Sequence, residues 1–216
     1  MRKLLPIALG SLVLFGFGCG SSKSLAVNSA DQFANLPPLN LDGRPPSDTN
    51  SQTDKPAPME KNWTFPGVLP TGEIHRKQVR MQTVKGEIVF DLLDGDAPKT
   101  VSNFVALAKG GYYDGLTFHR RVDGFMIQGG DPNGNGTGGP GYKFEDEPVK
   151  RKYDRGIVAM ANAGPDTNGS QFFIMLADYP LPPQYTIFGK VTSGQETVDQ
   201  IAIGDAMTKV TVEDKK

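Results

Sequence analysis

The sequence predicts a mainly β domain, a closed barrel or sandwich of short antiparallel strands, preceded by an N-terminal third that does not read as globular. Three observations carry this. Short runs rich in β-branched and aromatic residues recur between Gly-rich and Pro-rich turns from residue 78 to residue 212. Only two stretches of that region repeat apolar residues at helical spacing. Residues 20–70 are rich in Ser, Pro, Asn and Asp and hold too few apolar side chains to offset the entropy of ordering the chain.

Of the 216 residues, then, about 140 belong to one domain, enough for one well-buried core. In order, Gln78–Val84 and Glu87–Leu92 alternate around Lys85-Gly86 as a hairpin. A helix follows over Ala97–Lys109, with Asp96 as its cap, Pro98 in its first turn and Val101, Phe104, Val105 and Ala108 on one face. Gly110 and Gly111 end it. Strands are expected at Thr117–Arg120, Phe125–Gln128, Gly156–Met160, Gln171–Leu176, Thr186–Val191 and Lys209–Val212, and a second helix at Glu196–Ala202.

The chain opens on Arg2 and Lys3, an apolar run from Leu4 to Phe17 and then small residues, the layout of a secretory signal. The run is short for a membrane-spanning helix. Cys19, the only cysteine, has no intramolecular partner. Residues 1–18 resemble a bacterial lipoprotein signal in which Cys19 becomes the lipidated first residue, although Gly16 stands where such signals usually carry Leu. An ordinary signal peptide with an incidental cysteine, or an uncleaved anchor, is the alternative. Gly20 after the cysteine, rather than Asp, allows an outer-membrane destination by the same resemblance. Residues 19–72 then read as a flexible linker, about 50 residues with an r.m.s. span on the order of 40 Å. Trp63, the only tryptophan, lies beside Phe65 and either staples this linker onto the domain or stays unpacked. Residues 73–216 form the folded domain.

The stretch Phe118–Asp131 (FHRRVDGFMIQGGD) sets a fixed cation among apolar side chains, with an amide two residues past Met126. If 125–128 is a strand, Phe125 and Ile127 face one way while Met126 and Gln128 face the other, on the side open to Arg120. That surface is apolar, carries a few fixed donors and has no nucleophile. A second block, Met160–Phe173 (MANAGPDTNGSQFF), supplies small residues, turn formers and two aromatics. Together the two blocks resemble the cyclophilins, the cyclosporin-type peptidyl-prolyl cis/trans isomerases, over about Gln78 to Val212.

The resemblance implies a closed eight-stranded antiparallel barrel with two capping helices, and the element count agrees. It implies that Arg120 and Gln128 are the catalytic pair, and that Phe125, Met126, Phe173 and Leu181 form the socket for a proline ring. By the same likeness Asn162 holds the backbone of the preceding residue, Ala161 leaves room for the chain, and Gln171 and Phe172 are shared between pocket wall and packing. His119 is read as support for the arginine rather than as a general base.

The loop Ala177–Gly189 departs from the best-known eukaryotic pattern. Pro180 and Leu181 stand where that pattern has Trp and Leu, and Tyr185 replaces a His at the pocket rim. The missing indole removes a donor that the family uses for cyclosporin, so weak binding of that drug is expected. Other chemistry is excluded on the residues: Asp131–Gly136 imitates the start of a calcium loop, but the twelfth position is Tyr142 rather than Glu. Gly134–Gly141 lacks the Gly-Lys-Ser/Thr ending of a phosphate loop. With 23 basic and 24 acidic residues, no nucleic-acid footprint is present.

The expectation is thus an exported, lipid-anchored, monomeric prolyl isomerase that acts on proline-containing polypeptides and needs no metal or cofactor. A non-catalytic scaffold or holdase on the same fold is the alternative, and it would have no use for Arg120.

Overall fold

Eight strands and three helices follow one another over residues 63–215, the part of the chain that this computed structural model describes. The signal-like segment, Cys19 and the linker up to residue 62 lie outside the described residues. The elements are α1 (Thr71–Ile74), β1 (Lys77–Thr83), β2 (Gly86–Leu92), α2 (Pro98–Lys109), β3 (Arg120–Val122), β4 (Met126–Gly129), β5 (Ile157–Met160), β6 (Phe172–Met175), β7 (Ile187–Ser193), α3 (Gln195–Gln200) and β8 (Met207–Asp214). The strands form one antiparallel sheet in the order β3-β4-β6-β5-β7-β2-β1-β8.

The expected barrel closure is not carried by a ladder, because the end strands β3 and β8 do not pair. The chain just ahead of β3 reaches across instead, with an isolated bridge between Thr117 and Ala206 and backbone bonds Phe118 N to Asp205 O (2.9 Å) and Met207 N to Leu116 O (2.8 Å). That is why the strand expected at Thr117–Arg120 shifts to Arg120–Val122: Thr117 pairs instead with Ala206, the residue ahead of β8. The hairpin shifts by less. Val84 and Lys85 make the two-residue turn, Gly86 pairs with Thr83, and the Thr83 hydroxyl donates to Gly86 O at 2.7 Å.

Two apolar clusters lie on opposite faces of β4, β5, β6 and β7. One holds Ile127, Val158, Met160, Phe172, Ile174 and Phe188 with the inward faces of β1, β2 and α2. The other holds Met126, Ile157, Ala159, Phe173, Met175 and Ile187. Successive strand residues point to opposite faces, so β4, β5 and β6 are buried throughout and β7 over its first three residues, which explains why they read as continuous apolar runs rather than as alternation. In the first cluster Phe104 of α2 stacks on Tyr113 at 4.7 Å and meets Phe90 and Phe172 edge-on at 5.7 and 5.6 Å.

The α2 start differs from the expectation. Asp96 makes no cap; the N-cap is Ala97, and Asp96 pairs with Arg151 at 2.5 Å. The cap comes from 48 residues further along the chain, where the buried Glu147 accepts from the Lys99 N–H at 2.9 Å and the Thr100 N–H at 2.8 Å. A carboxylate there satisfies two orphan donors and complements the positive end of the helix. Local sequence carries no trace of such a long-range cap. Removing it in Glu147→Ala is expected to cost about 1.5–3 kcal/mol, since two charge-assisted bonds to a buried helix end are lost. Urea unfolding followed at 222 nm reads this as a lower midpoint with an unchanged slope.

Candidate active site

Antiparallel pairing puts Arg120 of β3 directly opposite Gln128 of β4, and Gln128 in turn opposite Phe173 of β6. The shared face that the sequence suggested for Arg120, Gln128 and Met126 therefore follows from register. Arg120 Nη1 donates to Gln128 Oε1 at 3.3 Å, and Gln128 Nε2 donates to Gln171 Oε1 at 2.9 Å. Gln171 Nε2 donates onward to the carbonyls of Gly136 and Gly138, each at 2.9 Å. Each amide has one acceptor oxygen and one donor nitrogen, so the chain of bonds has a single consistent direction, from the guanidinium to the Gly-rich loop.

Burial pulls Arg120 below the ordinary arginine value, while the nearby Tyr185 pushes it up. Starting so far above neutrality, the group stays charged. Among the described residues no carboxylate pairs with it. The result is a half-buried cation whose field is directed outward over an apolar surface.

That surface is the second cluster. Met126 and Phe173 are buried in it, Phe173 meets the Tyr185 ring edge-on at 5.6 Å, and Ala161, Leu181 and Phe125 pack against it from the rim. Phe125 lies one residue before β4, in the turn closed by its N–H bond to Val122 O (3.0 Å), so strand alternation does not govern it. Its ring joins the same cluster as Met126 and not the opposite face. Asn162 is held differently from the rest: its amide donates to Gln184 O at 2.8 Å and to Asp146 Oδ1 at 3.3 Å, which ties the 161–163 segment to the rim loop.

Two residues outside the sequence-based set contribute. Tyr179 lays its ring against Phe125 with centroids 4.5 Å apart, closing the rim beside the position of the missing indole. Tyr153 clamps the loop, its hydroxyl donating to Tyr185 O at 2.9 Å and accepting from Tyr185 N at 3.1 Å. An aromatic next to Pro180 was a readable signal for the first; the second, 32 residues from its partner, had none.

Beside Gln171 opens a cleft of about 710 Å³ lined by residues 136–143, 161–163, 167 and 169–171, so that Ala161 borders both cleft and socket. The resemblance to a calcium loop in this wall has a structural reason. Asp131 is buried and accepts from the N–H groups of Asn133 (2.8 Å), Asn135 (2.9 Å) and Gly136, so both its oxygens are committed to shaping the loop. A Cβ at Gly138 would collide with that carboxylate, which is why glycine stands there. Among the described residues no three His, Cys, Asp or Glu side chains are grouped as metal ligands. His119 is pulled down by burial, with Asp131 opposing and Arg120 adding to the shift, so the ring is neutral at neutral pH. Among the described residues neither ring nitrogen meets a hydrogen-bond partner.

Comparison with known proteins accords with this geometry. Residues 78–215 match the family described as cyclophilin type peptidyl-prolyl cis-trans isomerase/CLD. The chain is 49% identical over 135 residues to a peptidyl-prolyl cis-trans isomerase of Helicobacter pylori, covering 60% of this chain and 83% of that protein. It is 52% identical over 130 residues to peptidyl-prolyl cis-trans isomerase B of Bacillus subtilis, covering 59% and 91%. A crystal structure of a Cryptosporidium parvum cyclophilin type peptidyl-prolyl cis-trans isomerase, determined in the presence of the dipeptide Ala-Pro, superposes with a TM-score of 0.60 at 40% identity, covering 63% and 99%. With its register-matched arginine and glutamine, its two-sided sheet and these relatives, the chain belongs to the family of cyclophilin-type peptidyl-prolyl cis-trans isomerases.

Proposed function

We propose that this peptidyl-prolyl isomerase accelerates X-Pro rotation in exported polypeptides by stabilising the twisted amide with Arg120. Amide resonance opposes the rotation with a barrier of roughly 18–20 kcal/mol. Raising a rate of about 0.01 per second to about 1000 per second requires lowering it by roughly 7 kcal/mol. No bond breaks, so the reaction needs neither nucleophile nor metal; it needs tighter binding of the twisted state than of either planar isomer.

In the twisted state the prolyl nitrogen turns pyramidal and regains its lone pair. Arg120 donates an N–H to that pair, while the proline ring is buried against Met126 and Phe173 in the socket bounded by Phe125, Leu181 and Tyr185. Gln128 has one amide hydrogen committed to Gln171; its second is free for the substrate carbonyl. The backbone of the residue before proline lies along Ala161 and Asn162, and the chain ahead of it enters the cleft. The single observation that carries this reading is the one-way hydrogen-bond chain from Arg120 through Gln128 to Gln171 at the mouth of an apolar socket.

The setting is proposed from the N-terminal residues: a lipid anchor at Cys19, a linker to residue 72 and action on clients at an extracytoplasmic membrane face, as a monomer. Among the described residues no helix is long and apolar enough to cross a membrane. A scaffold or holdase on this fold remains the second reading, favoured only if peptide affinity survives without turnover.

Three outcomes are expected. Arg120→Ala lowers turnover of a short X-Pro peptide about 100- to 1000-fold, the range for removing one preorganised donor, and changes peptide affinity far less. Equal losses in both would favour the scaffold. Mass spectrometry of the mature chain finds a diacylated Cys19 at the N-terminus; an intact residue 1 or an unmodified thiol sinks the anchor. Cyclosporin inhibits weakly, and an inhibition curve as tight as that of eukaryotic relatives would show that the indole is dispensable.

A further inference from the structure

From Trp63 to Pro70 the chain has no regular structure, yet it is packed down as a strap beside α2. The Trp63 ring meets Tyr112 edge-on at 5.3 Å and sits so closely over Gly110 that a Cβ there would run into it. Phe65 stacks on Phe144 at 4.8 Å with the rings 9° from parallel, and leans on Tyr142 at 5.9 Å. Leu69 N–H donates to Ser102 Oγ at 2.9 Å, fixing the strap to α2.

Neither strap ring lines the cleft, but the tyrosines beneath them hold its wall. Ser170 gives its hydroxyl proton to Gly130 O at 2.7 Å and therefore accepts from the Tyr112 hydroxyl at 2.9 Å. Tyr142 donates to Asn103 Oδ1 at 2.6 Å, and Asn103 Nδ2 donates to Gly169 O at 2.8 Å. Burial raises both tyrosines, Tyr112 to about 12, so both hydroxyls keep their donor protons. Gly169 and Ser170 lead directly into Gln171, the last side chain in the chain of bonds that begins at Arg120. Two separate paths thus run from the strap to neighbouring wall residues, one through Tyr112 to Ser170 and one through Tyr142 and Asn103 to Gly169.

We propose that Trp63 and Phe65 are positioning residues for this cleft: by clamping Tyr112 and Tyr142 they hold the wall at 169–171 in the shape that grips the residues ahead of the substrate proline. The proposal rests on the peptide-binding reading of the site, though not on its turnover. It also gives the end of the linker a role beyond tethering, since whatever pulls the strap away loosens the cleft.

The test measures affinity by NMR titration of the full chain with two ligands, a blocked Ala-Pro dipeptide that reaches only the socket and a peptide with three further residues ahead of it. Trp63→Ala, Phe65→Ala and Gly110→Ala, the last evicting the indole while leaving the strap sequence intact, should each weaken the longer peptide about fivefold, within the usual range for coupled sites. Dipeptide affinity should stay within about twofold. Tyr142→Phe, which keeps the ring and cuts only the bond to Asn103, should reproduce the loss and shift the Gly169 and Ser170 amides. If Phe65→Ala does not fold, Phe65→Leu keeps the apolar bulk and carries the same expectation. Unchanged affinity for the longer peptide, or equal weakening of both ligands in step with a lower Tm, overturns the proposal. A wild type that binds the longer peptide no better than the dipeptide overturns it too, whereas binding of both without acceleration overturns the isomerase mechanism alone.

Discussion

A cation held part-way out of water, with no anion paired to it among the described residues, governs the rest of this site. Left to itself a guanidinium on a three-residue strand would swing into solvent or find a carboxylate. Here the Gln128 oxygen holds it, Gln171 holds Gln128, and two carbonyls of the Gly-rich loop hold Gln171. Because amides have distinguishable ends, reversing any one of them would set two donors or two acceptors face to face, at a cost of about 1–3 kcal/mol for each unsatisfied buried group. Such a preorganised donor costs nothing to orient when charge develops on a substrate atom.

The socket beside it follows from the sheet. In most domains the outer face of a sheet is solvated or covered by helices, but β4, β6, β5 and β7 carry apolar side chains on both faces, and the outer set is covered only by loops. Tyr153 clamps one of those loops through both backbone groups of Tyr185, and Tyr179 leans on Phe125. Small apolar ligands find in such a place a dry wall with a polar edge. The core on the inner face, where Phe104, Tyr113, Phe90 and Phe172 interlock, keeps the strands from shifting register, and register alone sets Arg120 opposite Gln128.

Much of this was legible in the residues because the signals are local. The hairpin at 78–92, the helix ending at Lys109 and the paired motifs around Arg120 and Phe173 needed only periodicity and turn chemistry. What escaped was non-local. Glu147 caps α2 across 48 residues, displacing the adjacent Asp96, and Thr117 bridges to Ala206 just ahead of β8 instead of extending β3. Strand alternation alone sets Phe125 on the face away from Met126, because it counts one residue past the strand's start, whereas the family likeness puts it in the socket, where its ring packs. The polar surroundings of Trp63 leave it unassigned; its seat is made by Gly110, brought beneath it by the end of α2, and by the edge of Tyr112.

The mechanism stands or falls on a charge that does not titrate near neutrality. The most direct measurement is the NMR exchange rate of a short X-Pro peptide with catalytic amounts of the purified chain, taken between pH 6 and pH 9. The expected result is exchange faster than buffer by orders of magnitude and level across that range, since Arg120 keeps its proton and His119 is not used as a base. Exchange no faster than buffer, or a rate that collapses with a midpoint near neutrality, would contradict it.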